Sequence, residues 1–588
     1  MSLFDRIVRF GDKGRFVGPM FRRLFLPSII FSSGWALSDI ADAVVVGQQL
    51  GTVGLAGIAM ILPVYMVNCT IAHGLGIGGS LRFSRLMAHG DFDQARQCFV
   101  QTIFSALLYS GGTAVLGLVG MDMLLSLLGA DKASPEVLSA TREYLTVLVA
   151  STPLFYLSNI LNYYLYNDDN QRLAVLGAIV GNISDIALNF TLVLGFGLGM
   201  RGAALSTSAG QVITISIFVI GLACREHHLH LCMPCSGWVK AGFMQLRAGL
   251  SSSVSYLYQV VFFTVCNNAL VRIGGDSAIA VFDVIQNASY LLLYLYEGVT
   301  RAMQPLLATF YGENGRRDLA ETRSRARFYG YSIGLTLIIF VEAVPSLLCR
   351  LFGVPAESEV HALAEFALRV YGVGAFLAGV NILDSGYFVA CGVEKSSLLI
   401  QSLRGCLILL PLTAIGAYIG DIRLFWLVFP LTEIGTWILF RVIARVRGGY
   451  DVTLLEENRI YQKTVSGSTD DIMEADREIE NFCEGRGVDV KRCYTITLAV
   501  EEICATIVNN GMKDGYICIT LLDIPDGDII LMLRYNDDFF NPFSLQTNKA
   551  NIEGNFDMDA MGILMIRKQA KDFAYRRYQG LNSLVVRL

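Results

Sequence analysis

Apolar runs of membrane length recur from Leu24 to Val446, and no other feature of the sequence restricts the fold so tightly. A helix needs about 20 predominantly apolar residues to cross a bilayer, where its backbone must satisfy its own hydrogen bonds. Twelve spans are expected, near residues 24–47, 53–80, 99–119, 142–166, 173–196, 202–224, 248–272, 277–309, 328–350, 362–391, 397–419 and 424–446. Only 16% of the chain is charged, against about 25% in a soluble domain. Arg6, Arg9, Lys13, Arg15, Arg22 and Arg23 precede the first run, and no small-residue cleavage site follows it. It therefore reads as a retained span and not a removed signal peptide.

Lys and Arg gather in the amino terminus, the even-numbered loops and the start of the tail; Arg316, Arg317, Arg323, Arg325 and Arg327 crowd the loop at 311–327. That asymmetry places both termini on the cytoplasmic side, as for a multi-pass protein of a bacterial inner membrane. Thirteen cysteines are scattered, many within spans, so no disulfide framework is expected. His227, His228, His230, Cys232 and Cys235 share one loop. Their spacing fits no standard zinc site, and no metal is expected. Basic residues lie only in loops at the membrane face, which argues against nucleic acid. No G-x-x-x-x-G-K-[ST] is present, which excludes a P-loop transport motor.

The apolar pattern repeats once. Residues 24–224 and 248–446 each hold six runs with matching punctuation: the turns at 50–57 and 273–280, and the charged loops at 84–96 and 308–322. Two six-helix halves with sites near the midplane form a recurring transporter plan. Against this background Asp39 and Asp42 stand inside an apolar run that breaks at Gln48–Gly54. A carboxylate at such a position costs about 3 kcal/mol on insertion scales and marks a functional site by default. Asp39 is the weaker of the two, since a helix–helix hydrogen bond accounts for it equally well. Glu297 is another intramembrane carboxylate, one turn before Arg301, with an intra-helix ion pair as its alternative.

The strings DAVVVGQQLG, LAGIAMILPVYM, IAHGLGIGGS and GDFDQAR, with MQPLLATFYGENGRRD in the second half, resemble the multidrug and toxic compound extrusion (MATE) transporters over residues 20–446. The resemblance implies antiport of H⁺ or Na⁺ against organic cations between two lobes. Asp42 then falls on the family's first-helix carboxylate. Asp185 and Asn189 fall on its fifth-helix pair, with the two identities exchanged, and Thr207 on a polar position of the sixth helix. These imply an oxygen-rich first-lobe site for a proton or Na⁺. In the second lobe Asp384 matches the tenth span, and Gln259 takes the place of a seventh-span Glu.

Hydropathy collapses after Val446, and about 130 residues of mixed helix and antiparallel strand follow. The motifs LAVEEICATIVNNGM, NDDFFNPF and MGILMIRKQAKDFAYRR resemble the anti-sigma-factor kinase branch of the GHKL ATPase fold. The resemblance implies ATP and Mg²⁺ as cofactors, with Glu502 as the water-activating residue. The Mg²⁺-holding Asn is Thr506 here. The adenine-reading Asp and its following Gly are Tyr535 and Asp537, and only Gly562 of the last glycine box remains. A side chain where backbone should approach phosphate costs space. ATP hydrolysis is therefore not expected; weak nucleotide binding, or docking on the membrane part or a partner protein, stays open.

The sequence thus reads as an all-α polytopic membrane protein of two six-helix lobes, followed by an α/β two-layer sandwich. Its segments are 1–23, 24–224, 225–247, 248–446, 447–457 and 458–588. The expected function is secondary active efflux of organic cations or drugs, driven by H⁺ or Na⁺, with a regulatory tail and no enzymatic activity. Membrane lipid and a small organic cation are the expected partners. Two alternatives stand beside it: a flippase for a lipid-linked precursor, and a membrane-anchored signalling protein acting through the tail.

Overall fold

The computed structural model describes residues 16–588 apart from 89, 129–134, 225–227, 231, 352–358, 448–451, 453, 467, 510–514, 525–527, 537–539, 545–557 and 579–580. Several helix side chains within 35–59 and 264–291, and those of 351, 359–360 and 558–561, also lie outside the description, Asp39 and Asp42 among them.

The first half comprises α1 (Val17–Ala88), α2 (Phe92–Val119), α3 (Met121–Leu127), α4 (Pro135–Ala150), α5 (Thr152–Asn167), α6 (Gln171–Asn189) and α7 (Gly199–Ala223). The second comprises α8 (Trp238–Ser253), α9 (Ser255–Gly312), α10 (Arg316–Ala343), α11 (Pro345–Leu351), α12 (Glu359–Ala390), α13 (Glu394–Ser402), α14 (Leu409–Ile419), α15 (Ile422–Phe425) and α16 (Val428–Val446). Among the described residues eight helices are long and apolar enough to cross a membrane, or nine if α4 and α5, bent by 52°, form one span.

The expected breaks at 50–57 and 273–280 are helical in backbone, yet both long helices double back. α1 has 72 residues and would be roughly 105 Å long if straight. Tyr166 nevertheless donates to the Pro27 carbonyl at its start, while the neighbouring Asn167 accepts from Ser84 near its end. In α9 the rings of Phe262 and Phe282 lie 6.1 Å apart, where a straight helix would separate them by roughly 30 Å. Tertiary packing, not glycine propensity, decides the local backbone here. Gly57 instead serves close approach: a Cβ would come within 3.1 Å of Met200 Cε.

α8 is a separate helix that begins in the expected inter-lobe loop and packs along α1. At that crossing the backbones touch. A Cβ on Gly78 would meet the Gln245 carbonyl oxygen at 1.9 Å, and one on Gly249 the Gly74 carbonyl oxygen at 1.9 Å. The two halves also meet where α1 and α12 end, since Arg85 donates to the Val389 and Ala390 carbonyls at 3.0 Å each.

The tail forms one antiparallel sheet of order β1-β2-β3-β5-β4, from β1 (Ile460–Val465), β2 (Ile517–Asp523), β3 (Ile529–Tyr535), β4 (Asp572–Tyr578) and β5 (Leu581–Arg587). α17 (Thr469–Gly485), α18 (Val490–Asn509) and α19 (Met558–Gln569) cover one face. α17 starts where Ser468 Oγ accepts from the Asp471 amide at 3.2 Å, and it buries Ile472, Ala475, Ile479 and Cys483 at helical spacing. β2 and β3 are buried on both faces almost throughout, as their continuous apolar runs require.

The second face rests on the membrane part. Leu522, Ile530, Met532, Ala574 and Val585 pack with Phe92. Arg587 pairs with Asp91 at 2.8 Å in the turn between α1 and α2. Arg534 bonds Glu313 in the turn between α9 and α10, and Asp318 in the first turn of α10 at 3.2 Å. Burial works against the Arg534 charge, but Glu313 and Asp318 outweigh it and raise its pKa. The sheet therefore touches both halves.

Candidate functional site

α6 and α7 cross closely because both carry glycine at the contact. A Cβ on Gly181 would overlap Thr214 Oγ1, and one on Gly210 would stand 3.0 Å from Asp185 Cβ. This crossing sets Asp185, 6% exposed, against the polar face of α7. Ser38 Oγ of α1 donates to Asp185 Oδ2 at 3.1 Å, while Oδ1 is buried without a partner among the described residues. The Ser206 and Thr207 hydroxyls bond back to the Ala203 carbonyl, so their lone pairs remain available. Asn159, Asn182, Gln211 and Thr214 complete a cavity of about 110 Å³. Among the described residues its chemistry is that of one carboxylate among neutral polar groups, suited to a proton or a small hard cation.

Asn189 is buried one turn beyond Asp185 and is not among the described lining residues. Asn182, on the other side of Asp185, takes that place. Sequence reasoning missed Asn182 and Ser38; the spacing of Asn182 from Asp185, three residues, was a usable signal. Asp39 and Asp42 lie outside the described side chains.

A second cavity, of about 990 Å³, lies between the two halves. Tyr65, Phe155, Thr207 and Gln211 line both cavities. Gln259 and Glu297, two of the expected residues, open into the larger one. Glu297 is exposed to it, and no ion pair to Arg301 within 4.0 Å forms. Sequence reasoning also missed Glu433, which accepts from Arg404 Nε at 2.6 Å and from Asn381 Nδ2 at 2.8 Å.

Asp384 does not join either cavity. It is 7% exposed and pairs with Arg323 at 3.0 Å and Arg327 at 2.7 Å. The physical reason is compensation: a buried carboxylate with two guanidiniums is already neutralised and holds α10 to α12.

In the tail, Glu502 and Gly562 do come together. A Cβ on Gly562 would meet Glu502 Oε2 at 2.0 Å, so the glycine makes room for that carboxylate. Thr506 is buried one turn further on. Tyr535, expected at the adenine-reading position, is buried with its hydroxyl donating to the Phe540 carbonyl at 2.7 Å. Asp537 lies outside the described residues. Of the expected loop cluster, His228 is bound to Asp168 at 2.9 Å and stacked on Phe92, and no metal-holding group of His, Cys, Asp or Glu occurs among the described residues.

The MatE family model matches residues 27–191 and 252–415. A FAD transporter of Shewanella oneidensis is 23% identical over 431 residues, covering 71% of this chain and 92% of that protein. The multidrug export protein MepA of Staphylococcus aureus is 23% identical over 422 residues, covering 69% and 90%. Among solved structures, an outward-facing multidrug resistance MATE family transporter of the MOP superfamily superposes with a TM-score of 0.67 at 23% identity, covering 76% of this chain and 98% of that one. A MOP superfamily transporter from Pyrococcus furiosus, described as having a binding pocket of reverse polarity, gives 0.67 at 23% identity over 73% and 95%.

Proposed function

Because the chain belongs to the MatE family, and is thus a multi-pass membrane transporter and not an enzyme, we propose that it is a secondary active efflux antiporter. It exchanges H⁺ or Na⁺ for small organic molecules, organic cations and drugs included. The twelve passes of that reading are the eight qualifying helices, the bent α4–α5 pair, the first arm of α1 and the two arms of α9.

The observation that carries this reading is the shared wall between the two cavities. Thr207 and Gln211 face both the small cavity of Asp185 and the large one between the halves. An ion arriving at Asp185 alters the wall that the cargo touches, and the cargo alters the site the ion needs. That reciprocity is what coupling requires. Asp42, Asn189 and Asp39 belong to the same first-lobe arrangement in this reading, and Asp384 to a structural ion pair.

The tail is a GHKL-like regulatory domain that has kept its fold and lost its kinase chemistry, on the cytoplasmic face with both termini. Its contact with Asp91 of one half and Glu313 of the other supports that role, because relative movement of the halves must strain one contact or the other.

The test is efflux of ethidium from proteoliposomes under an imposed H⁺ gradient, then a Na⁺ gradient. Flux under one gradient that disappears in Asp185→Asn and in Asp42→Asn is expected. Folded protein with no flux under either gradient would overturn the antiport reading.

A further inference from the structure

Among the described residues lining the large cavity, the carboxylates and guanidiniums are Glu297, Glu433, Arg301 and Arg404. Arg404 and Glu433 neutralise one another at 2.6 Å. Glu297 and Arg301 form no ion pair within 4.0 Å, and both open into the cavity. A low-dielectric cavity makes both charges expensive until something of opposite sign arrives.

Among the described residues, Arg301 makes its ring and hydrogen-bond contacts with neutral groups. Its guanidinium carbon lies 4.4 Å from the Phe31 ring centroid, 4.7 Å from that of Tyr163 and 5.9 Å from that of Tyr166. One nitrogen donates to Asn162 Oδ1 at 3.3 Å. The Nε–H is buried with no acceptor among the described residues. Ring faces stabilise a cation without removing its charge, so the group stays a positively charged donor with capacity to spare. A cargo carrying only positive charge gains from Glu297 but meets this guanidinium one helical turn away.

We infer that Arg301 is the acid-binding half of a two-point cargo site whose other half is Glu297, and that the preferred cargo is an aromatic zwitterion, carrying a carboxylate or phosphate as well as a cationic group. Arg301 binds the acid, Glu297 the cation, and the Tyr65, Tyr256, Phe262 and Phe282 rings that line the cavity take the aromatic body. The inference rests on the transport reading given above and names its substrate class.

The experiment compares tetramethylrhodamine, a zwitterion, with its methyl ester, which keeps the aromatic cation and lacks the acid. Binding is read by fluorescence anisotropy on the full chain in detergent, and uptake in proteoliposomes. The wild type is expected to bind the acid about tenfold more tightly than the ester, the scale of one charge-assisted hydrogen-bonded contact. Arg301→Gln should abolish that preference and leave the ester bound at least as well; Arg301→Lys, which keeps the charge, should restore part of it. Ester bound and transported with no preference for the acid overturns this inference and leaves the transport reading standing. So does an equal loss of both dyes in a monodisperse Arg301→Gln protein. Folded wild type that neither binds nor moves either dye overturns both.

Discussion

Arg534 of the tail sheet bonds Glu313 at the end of α9, and the same guanidinium reaches Asp318 at 3.2 Å across the turn that opens α10. Its side chain is 12% exposed and that of Glu313 7%, so this is a buried ionic joint between tail and membrane part. Removing one member of such a set leaves charge buried without compensation, at a cost of about 3 kcal/mol. Arg534→Met should therefore release the tail, seen as faster amide exchange across 310–318 and in β3. Adding Asp318→Asn should recover part of the loss, since Glu313 keeps Arg576 as a partner at 3.9 Å. Unchanged exchange in Arg534→Met would show that the joint does not hold the tail.

The two carboxylates of the second and first halves should respond in opposite ways. Asp384→Asn removes the partner of Arg323 and Arg327, and thermal unfolding in detergent should show a protein destabilised by about 3 kcal/mol. The ion dependence of transport should stay the same. Asp185→Asn should leave the melting temperature nearly unchanged and abolish gradient-driven flux. Reversal of this pattern would exchange their roles.

Glycines along the helices divide into two kinds. Gly249 lies at the α1–α8 crossing, where a Cβ would overlap the Gly74 carbonyl oxygen, whereas Gly111 has nothing within 4 Å. Gly249→Ala should force the helices apart and lower the melting temperature. Gly111→Ala should raise stability by about 1 kcal/mol, since alanine is the better helix former. Thermal unfolding of the two variants side by side decides it.

In the tail, burial and the neighbouring Glu501 and Glu480 push the Asp476 carboxyl up to about 7. The folded state then binds more protons than the unfolded one between about pH 4 and pH 7, so this group's contribution to stability falls as pH rises through that window. Asp476→Asn should remove the fall. Hydrogen exchange of α17 in the full chain at pH 5 and pH 8 would show it; a pH dependence that survives the substitution belongs to another group.

The elements of the tail were legible because their periods are unambiguous. Ile472, Ala475, Ile479 and Cys483 repeat as a helix, and the apolar runs ICITLLD and IILMLRY form strands. The sequence did not reveal what covers the second face of that sheet, since Phe92 lies hundreds of residues away. In the membrane part, Glu297 was visible as a carboxylate in an apolar run, the MATE resemblance pointed to Asp185, Thr207 and Gln259, and all four line a cavity. The resemblance pointed equally to Asp384, whose partners Arg323 and Arg327 come from a different helix, so that only the fold brings them to it. Glu433 was passed over although it stands near the middle of the 424–446 run, where a carboxylate marks a candidate site. The glycine clusters at 50–57 and 273–280 signalled a change of direction correctly, but not that helical backbone would carry it.

The two-sided burial of β2 and β3 has a practical outcome for anyone who would divide the chain between its parts. Cut free at residues 447–457, the tail would present Leu522, Ile530, Met532, Ala574 and Val585 to water as a continuous sticky sheet surface, the kind that precipitates or pairs with itself. It is shaped as a lid for one particular seat, and its solubility is a property it borrows from the transporter beneath it.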